Sequence, residues 1–351
     1  MIAEFHFDQK DRAVYEREFA ARLPHRILDN HIHIWTRECL TIPRSAYAVY
    51  KTYKPWTDYD FMEEFTLEDC ENLAGTILPD RRLDFSYFGL PFPQIDREKS
   101  NAYVVSHATA CRRAFYYMPG QFEDVSAVGE SLLQNPYFVG LKPYPDLVQG
   151  GGDRASIYDM LNRSALEFAD RHDLVVILHI PRKGRMRDAE NRRELLEIIR
   201  TYPHIRLIIA HVGRAFCYAD VEGTIDFLKD FENVSFDTAF VQDADVLAYL
   251  MRLVPSEKIV FGSDAPLAYA RGKDVVINNR HYYATEHPAP WGIAPAKEGF
   301  VDFTYYFYEQ LRALLFASKS VYGAKEERHL ENIFYRNALR LMGEKGEKIY
   351  A

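Results

Sequence analysis

The chain has 351 residues, of which 48 % are hydrophobic and 14 % aromatic, ample for a large core. Its net charge of −8 argues against a nucleic-acid partner, which needs a basic face. No apolar run reaches the roughly 18 residues of a membrane span. Cys39, Cys70, Cys111 and Cys217 are scattered without a CxxC pair, which argues against a disulfide framework or zinc knuckle and favours reduced thiols. The N-terminus lacks a basic region followed by an apolar one, so no secretory signal is expected and the cytoplasm is the expected location.

Residues 8–22 have helical composition and are expected to form an N-terminal capping helix. Strand-like runs follow near 27–33, 74–78, 114–118, 137–142, 174–179, 206–211, 233–237 and 258–263. Amphipathic stretches such as 154–171, 188–201 and 244–253 lie between them. In 188–201, Leu195, Leu196, Ile198 and Ile199 share one side and Arg192, Arg193 and Glu197 the other. This alternation is that of repeated βαβ units, and eight of them predict an α/β protein with a (β/α)8 TIM barrel. A barrel of this kind fills such a chain as one domain, 1–351, with its core at about 26–343. Three connections are longer than a barrel needs: 35–65, 79–100 and 265–302, after strands 1, 2 and 8. Loops that follow barrel strands surround the active site, and contact with a second copy of the chain is the competing use for them. Gly150-Gly151-Gly152 lacks the strand and the GK[ST] of a phosphate loop and reads as a hinge.

Four strand ends carry chemistry. Asp29-Asn30-His31-Ile32-His33 closes the first strand; side chains alternate faces there, so His31 and His33 point the same way with roughly 7 Å of rise between them. Two nearby histidines alone are weak evidence, since most such pairs are accidents of surface or loop. Three later runs change the balance. Leu174-Val175-Val176-Ile177-Leu178 leads into His179, Leu207-Ile208-Ile209-Ala210 into His211, and Ile259-Val260-Phe261-Gly262-Ser263 into Asp264. Imidazole nitrogens and a carboxylate suit a divalent first-row metal, zinc foremost, with manganese or iron as alternatives.

This set, in this order, resembles the amidohydrolase superfamily and, within it, the amidohydrolase-related (amidohydrolase 2) group of metal-dependent hydrolases and decarboxylases. Phe261-Gly262-Ser263-Asp264-Ala265-Pro266 looks like that family's eighth-strand signature, and Glu331-Asn332-Ile333-Phe334-Tyr335-Arg336-Asn337-Ala338 like its closing helix. The resemblance implies a metal held by His31, His33, His179 and Asp264 with one position open for water, whose pKa such a site lowers to roughly 7. Asp264 would take the water's proton and return it to the leaving group. His211 would polarise the scissile carbonyl, assist proton transfer, or bind a second metal. Lys142, in Phe138-Val139-Gly140-Leu141-Lys142-Pro143, is either a carboxylated ligand bridging two metals or a cation paired with Asp264 or with substrate. One and two ions per chain both stay open.

Basic residues just beyond these strands suggest an acidic substrate. Arg182 and Arg214 are candidate carboxylate anchors, because guanidinium binds carboxylate bidentately. Tyr144 and Trp35 could line the pocket, and His281 and Trp291 could cover it from the last long connection. The expected activity is metal-dependent hydrolysis of an amide, lactone or ester bond in a small, carboxylate-bearing molecule. Its enzymatic alternative is non-oxidative decarboxylation or hydration of a carboxylated aromatic or unsaturated acid. A metal-bound structural or regulatory protein without turnover is the third reading, since fold alone does not determine function. The partner expected is a small-molecule substrate, with homo-oligomerisation open.

Overall fold

The computed structural model describes residues 5–42, 63–286, 292–295 and 301–350. Eight parallel strands pair in sequence order: β1 (Arg26–His33), β2 (Arg82–Phe88), β3 (Ala114–Tyr117), β4 (Phe138–Leu141), β5 (Val175–Leu178), β6 (Arg206–Ile209), β7 (Val234–Asp237) and β8 (Ile259–Val260). Hydrogen bonds from Asn30 N to Phe261 O, Asp264 N to His31 O and His33 N to Ala265 O join β1 to the segment leaving β8. The result is a (β/α)8 TIM barrel. Its strands bury both faces, one in the barrel and one under the helices, so β5 is an unbroken Val-Val-Ile-Leu run.

One strand stands elsewhere than the sequence suggests. Residues 74–78 belong mostly to helix α2 (Leu67–Ile77), and the second strand is Arg82–Phe88. Thr66 starts that helix with a capping box, its hydroxyl accepting from Asp69 N at 3.0 Å while the Asp69 carboxylate accepts from Thr66 N at 3.1 Å. Leu67, Cys70, Leu73, Ala74 and Ile77 are its buried positions, a helical spacing that the short run Leu73–Leu78 hides when viewed alone. The expected loop 79–100 therefore holds β2 and the first turn of α3 (Arg97–Ala110). Stretch 154–171 likewise divides, into Ile157–Met160 and Arg163–Arg171, where Asn162 caps the second helix by accepting from Ala165 N.

Helix α1 (Gln9–Glu18) leans on the helix after β8, Tyr306–Tyr322: the rings of Phe19 and Tyr308 lie 4.9 Å apart. Ala338, Met342 and Tyr350, from the final helices, join Leu28, Tyr116, Val175 and Val260 in the cluster that fills the barrel interior. The Tyr350 hydroxyl accepts from Ala114 N at 3.1 Å and donates to Phe85 O, and Asn337 Nδ2 donates to Ser256 O and Ile259 O, each at 2.7 Å. These contacts seal the end where the strands begin, leaving the other end for chemistry.

The last long connection is not a plain loop. Its strands β9 (Gly272–Ile277) and β10 (Arg280–Thr285) form a hairpin, with β11 (Gly292–Ile293) alongside. Asn278 and Asn279 both have left-handed φ, 53° and 58°, as a two-residue hairpin turn requires. Among the described residues no helix is long and apolar enough to cross a membrane.

Candidate metal centre

Seven strand ends converge at the open mouth. In β1, a register shift between Asp29 and Ile32 lets consecutive residues both face inward. Asn30 accepts there from Ser86 Oγ (2.6 Å) and the Tyr116 hydroxyl (2.7 Å), and His31 follows it into the interior. His31 and His33 share a face as their spacing predicts, with ring centroids 5.8 Å apart. The Phe88 ring stands edge-on to both, at 5.0 and 4.6 Å.

His31 Nε2 and His33 Nε2 lie 3.4 and 3.3 Å from the same oxygen, Asp264 Oδ1. Two donors each about 2.05 Å from one ion at the tetrahedral angle would be about 3.3 Å apart. The three residues are buried and their donor atoms lie within 4.8 Å of one another. His31 Nε2 and Asp264 Oδ1 have no hydrogen-bond partner among the described residues, a costly state that a cation between them would relieve. The donor set therefore fits a divalent ion.

The opposite ring nitrogens are held. His33 Nδ1 meets Gly89 O at 2.8 Å and His211 Nδ1 meets Ala239 O at 2.8 Å; a carbonyl only accepts, so both Nδ1 atoms carry the proton. His31 Nδ1 meets Asp237 Oδ2 at 2.9 Å. Each Nε2 is left with a lone pair directed inward. Burial lowers the pKa of His31, with Lys142 adding to the effect, and burial pushes His211 down to about 4, so both are neutral at pH 7. For Asp264, burial acts upward, but the nearby imidazoles of His33, His211 and His31 outweigh it and hold the carboxyl well below the usual range.

His179 borders this triad without joining it at ligand distance. It is half-buried, stacked on Tyr144 at 4.8 Å and edge-on to His211 at 5.4 Å. Lys142 is fully buried, its Nζ 4.7 Å above the Tyr144 ring and 5.2 Å above Phe88, with no hydrogen-bond partner among the described residues. Burial lowers its pKa to about 8.

The rim residues divide. Arg214 donates to Ile180 O at 3.1 Å and adds to the electrostatic environment of Tyr144, on the wall of the site. Arg182 is turned away: Glu194 takes its guanidinium bidentately at 2.7 and 3.0 Å, and Asn191 Oδ1 accepts at 2.7 Å. Trp35 is fully buried and exchanges backbone hydrogen bonds with Phe65 rather than standing at the rim. His281, on β10, packs on Phe216 at 4.9 Å, and Phe216 in turn lies 6.0 Å from His211. Trp291 lies outside the described residues.

One group at the site, Asp237, is missing from the residues that the sequence singles out. Asp237 ends β7 as the histidines end β5 and β6, so the same strand-end pattern would have found it. Tyr283 faces the barrel on the hairpin beside His281, packed on Phe240 at 5.9 Å; nothing in a Tyr-Tyr pair says which ring turns inward.

The amidohydrolase family model matches residues 28–343. No curated protein matches the chain in sequence. Among solved structures, the fold is similar to amidohydrolase 2 from Bifidobacterium longum subsp. infantis, at 12 % identity over 91 % of this chain and 99 % of that one, TM-score 0.54. It is similar to 4-oxalomesaconate hydratase from Rhodopseudomonas palustris, at 13 % identity over 92 % and 97 %, TM-score 0.54. A third is 5-carboxyvanillate decarboxylase from Sphingomonas paucimobilis, at 12 % identity over 91 % and 99 %, TM-score 0.52. At these identities the likeness is one of fold, and each named activity belongs to that protein.

Proposed function

This chain belongs to the amidohydrolase family, and from that premise we propose that it is a metal-dependent hydrolase of an amide, lactone or ester bond in a small, carboxylate-bearing substrate. The observation that carries the reading is the convergence of His31, His33 and Asp264 on one point at the barrel mouth. These three would hold the ion, with His179 beside them, and zinc suits the donors best. When bound, such an ion supplies Lewis acidity, enough to bring the pKa of a water to roughly 7. Asp264 is ionised, and its side chain keeps 11 % exposure where His31 has none, so it can take the water's proton and pass it to the leaving group. His211, neutral with its proton on Nδ1, offers only a lone pair at Nε2. That suits proton acceptance better than polarisation of a carbonyl. Arg214 would anchor the substrate carboxylate, Tyr144 would form a wall, and His281 with Tyr283 would cover the mouth and keep water out.

A second reading, decarboxylation or hydration of a carboxylated acid, draws support from Lys142, a buried cation on the wall of the site. The hydratase and the decarboxylase of similar fold point the same way. Metal analysis of wild type, His31→Ala and Asp264→Ala tests the site, and carboxylate-bearing lactones and anilides beside carboxylated phenols test the reaction. The expected result is metal in wild type, strong depletion in both variants, and hydrolysis that chelator abolishes and added metal restores. Full occupancy in both variants would sink the metal site, and carbon dioxide release would move the chemistry to the second reading.

A further inference from the structure

Asp237 touches both halves of the site. It lies 1 % exposed at the end of β7, beneath the mouth. One oxygen, Oδ2, meets His31 Nδ1 at 2.9 Å. The other, Oδ1, accepts from the backbone N–H of His211 at 2.6 Å and of Ala239 at 3.1 Å. His211 opens a turn in which four successive residues are left-handed, with φ of 53°, 51°, 74° and 65° through Arg214. L residues seldom adopt that backbone, and here it must be held from outside. Nδ1 of His33 and of His211 meets a carbonyl, whereas that of His31 meets a carboxylate, the stronger acceptor.

We propose that Asp237 is the positioning residue of this site, fixing the Nδ1–H tautomer of His31 while anchoring the left-handed turn that presents His211 and Arg214. The inference rests on the metal reading above for its consequence, though its first effect, the tautomer, needs no metal. Asparagine at this position keeps an oxygen for the two backbone N–H groups but turns an amide N–H₂ toward His31. Nδ1 must then accept, and the ring proton moves to Nε2, where the ligand lone pair is required. A carboxylate behind a ligating histidine also strengthens it, and losing one weakens metal binding roughly 10- to 100-fold.

The test is Asp237→Asn in full-length protein at pH 7.5. Nitrogen NMR of metal-free, ¹⁵N-histidine-labelled protein reads the tautomer, with the His31 signals identified by their loss in His31→Gln. Competition with a chromogenic chelator reads zinc affinity. We expect Nδ1–H for His31 in wild type, Nε2–H in the variant, and zinc affinity lower by roughly 10- to 100-fold. If Asp237 acts only through stability, the variant melts at lower temperature but its folded form keeps the wild-type tautomer and zinc affinity. That result would overturn the proposal. A flipped tautomer in a protein whose wild type takes up no zinc would uphold the positioning role and refute the metal reading instead.

Discussion

Lys142 is buried without a hydrogen-bonding counterpart among the described residues, and its pKa reflects this. Burial lowers it to about 8, against the opposing charges of Asp237 and Asp264. In the unfolded chain it titrates near about 10.4, so between these values the unfolded state holds more protons and stability rises with pH. Below pH 8 the cost of the buried ammonium is present in full. Lys142→Met has similar volume and no charge. It should stabilise the metal-free protein at pH 7 by on the order of 1–2 kcal/mol after the lost contacts with Tyr144 and Phe88 are offset, read as a higher melting temperature. It should also flatten the rise between pH 8 and 10.5, reduce turnover and spare the metal. Loss of metal in that variant, with bicarbonate raising the metal loading of wild type, would identify a carboxylated lysine ligand instead. The two arginines should behave oppositely. Arg214→Ala should raise KM for a carboxylate substrate roughly 10- to 100-fold at unchanged metal content, by removing a charge-assisted anchor. Arg182→Ala should leave KM alone and cost about 2–4 kcal/mol in urea denaturation, because buried Glu194 loses its bidentate partner and keeps only the Ile157 N–H at 2.9 Å and Arg193 at 3.9 Å.

The turn after β6 and the hairpin after β8 shape the mouth. Gly213 sits at φ 74°, and a Cβ there would meet Met186 Cγ at 2.4 Å. Gly213→Ala should therefore cost about 1–3 kcal/mol and slow turnover by moving His211 and Arg214, while His31, His33 and Asp264 keep the metal. Unchanged kcat in a destabilised variant would show that the turn serves folding alone. On the hairpin, alternate residues face opposite ways: His281 and Tyr283 turn to the barrel, and Tyr282 is 37 % exposed. Tyr283→Ala and His281→Ala should lower kcat/KM with metal retained, and Tyr282→Ala should not. Equal losses in all three would argue against a cover with one working face.

At the scale of the molecule, chemistry and closure lie at opposite ends of the barrel. Tyr350 is 2 % exposed and bonds to the backbone of β2 and β3. Tyr350→Ala should cost about 3–5 kcal/mol, read as a lower urea midpoint, while kcat measured well below the melting temperature stays near wild type. A large loss of kcat in folded protein would mean that the barrel transmits strain from its base to its mouth. The seam between β1 and the segment leaving β8 closes the barrel, and it passes through the site: Asp29 Oδ1 accepts from Ser263 N at 2.9 Å and from His31 N at 3.2 Å.

By itself the sequence determined the barrel and most of its strand ends, because a strand buried on both faces must be a short apolar run and its exit is where polarity returns. That rule puts His31, His33, His179, His211 and Asp264 at or just past strand ends, as the structure has them. It misplaced the second strand, since Leu73–Leu78 is apolar enough for a strand and only the capping box at Thr66 and the buried spacing from Leu67 make it helix. With that strand went Phe88 and Gly89, the ring and the carbonyl that orient the first two histidines. Tertiary structure alone decided that Arg182 is taken by Glu194 while Arg214 stands beside Tyr144, which hairpin rings face inward, and that Asp237 meets His31 from 206 residues away. The reason is physical: periodicity is written between near neighbours along the chain, whereas a hydrogen-bond partner is chosen by proximity across a barrel whose strands meet only after folding.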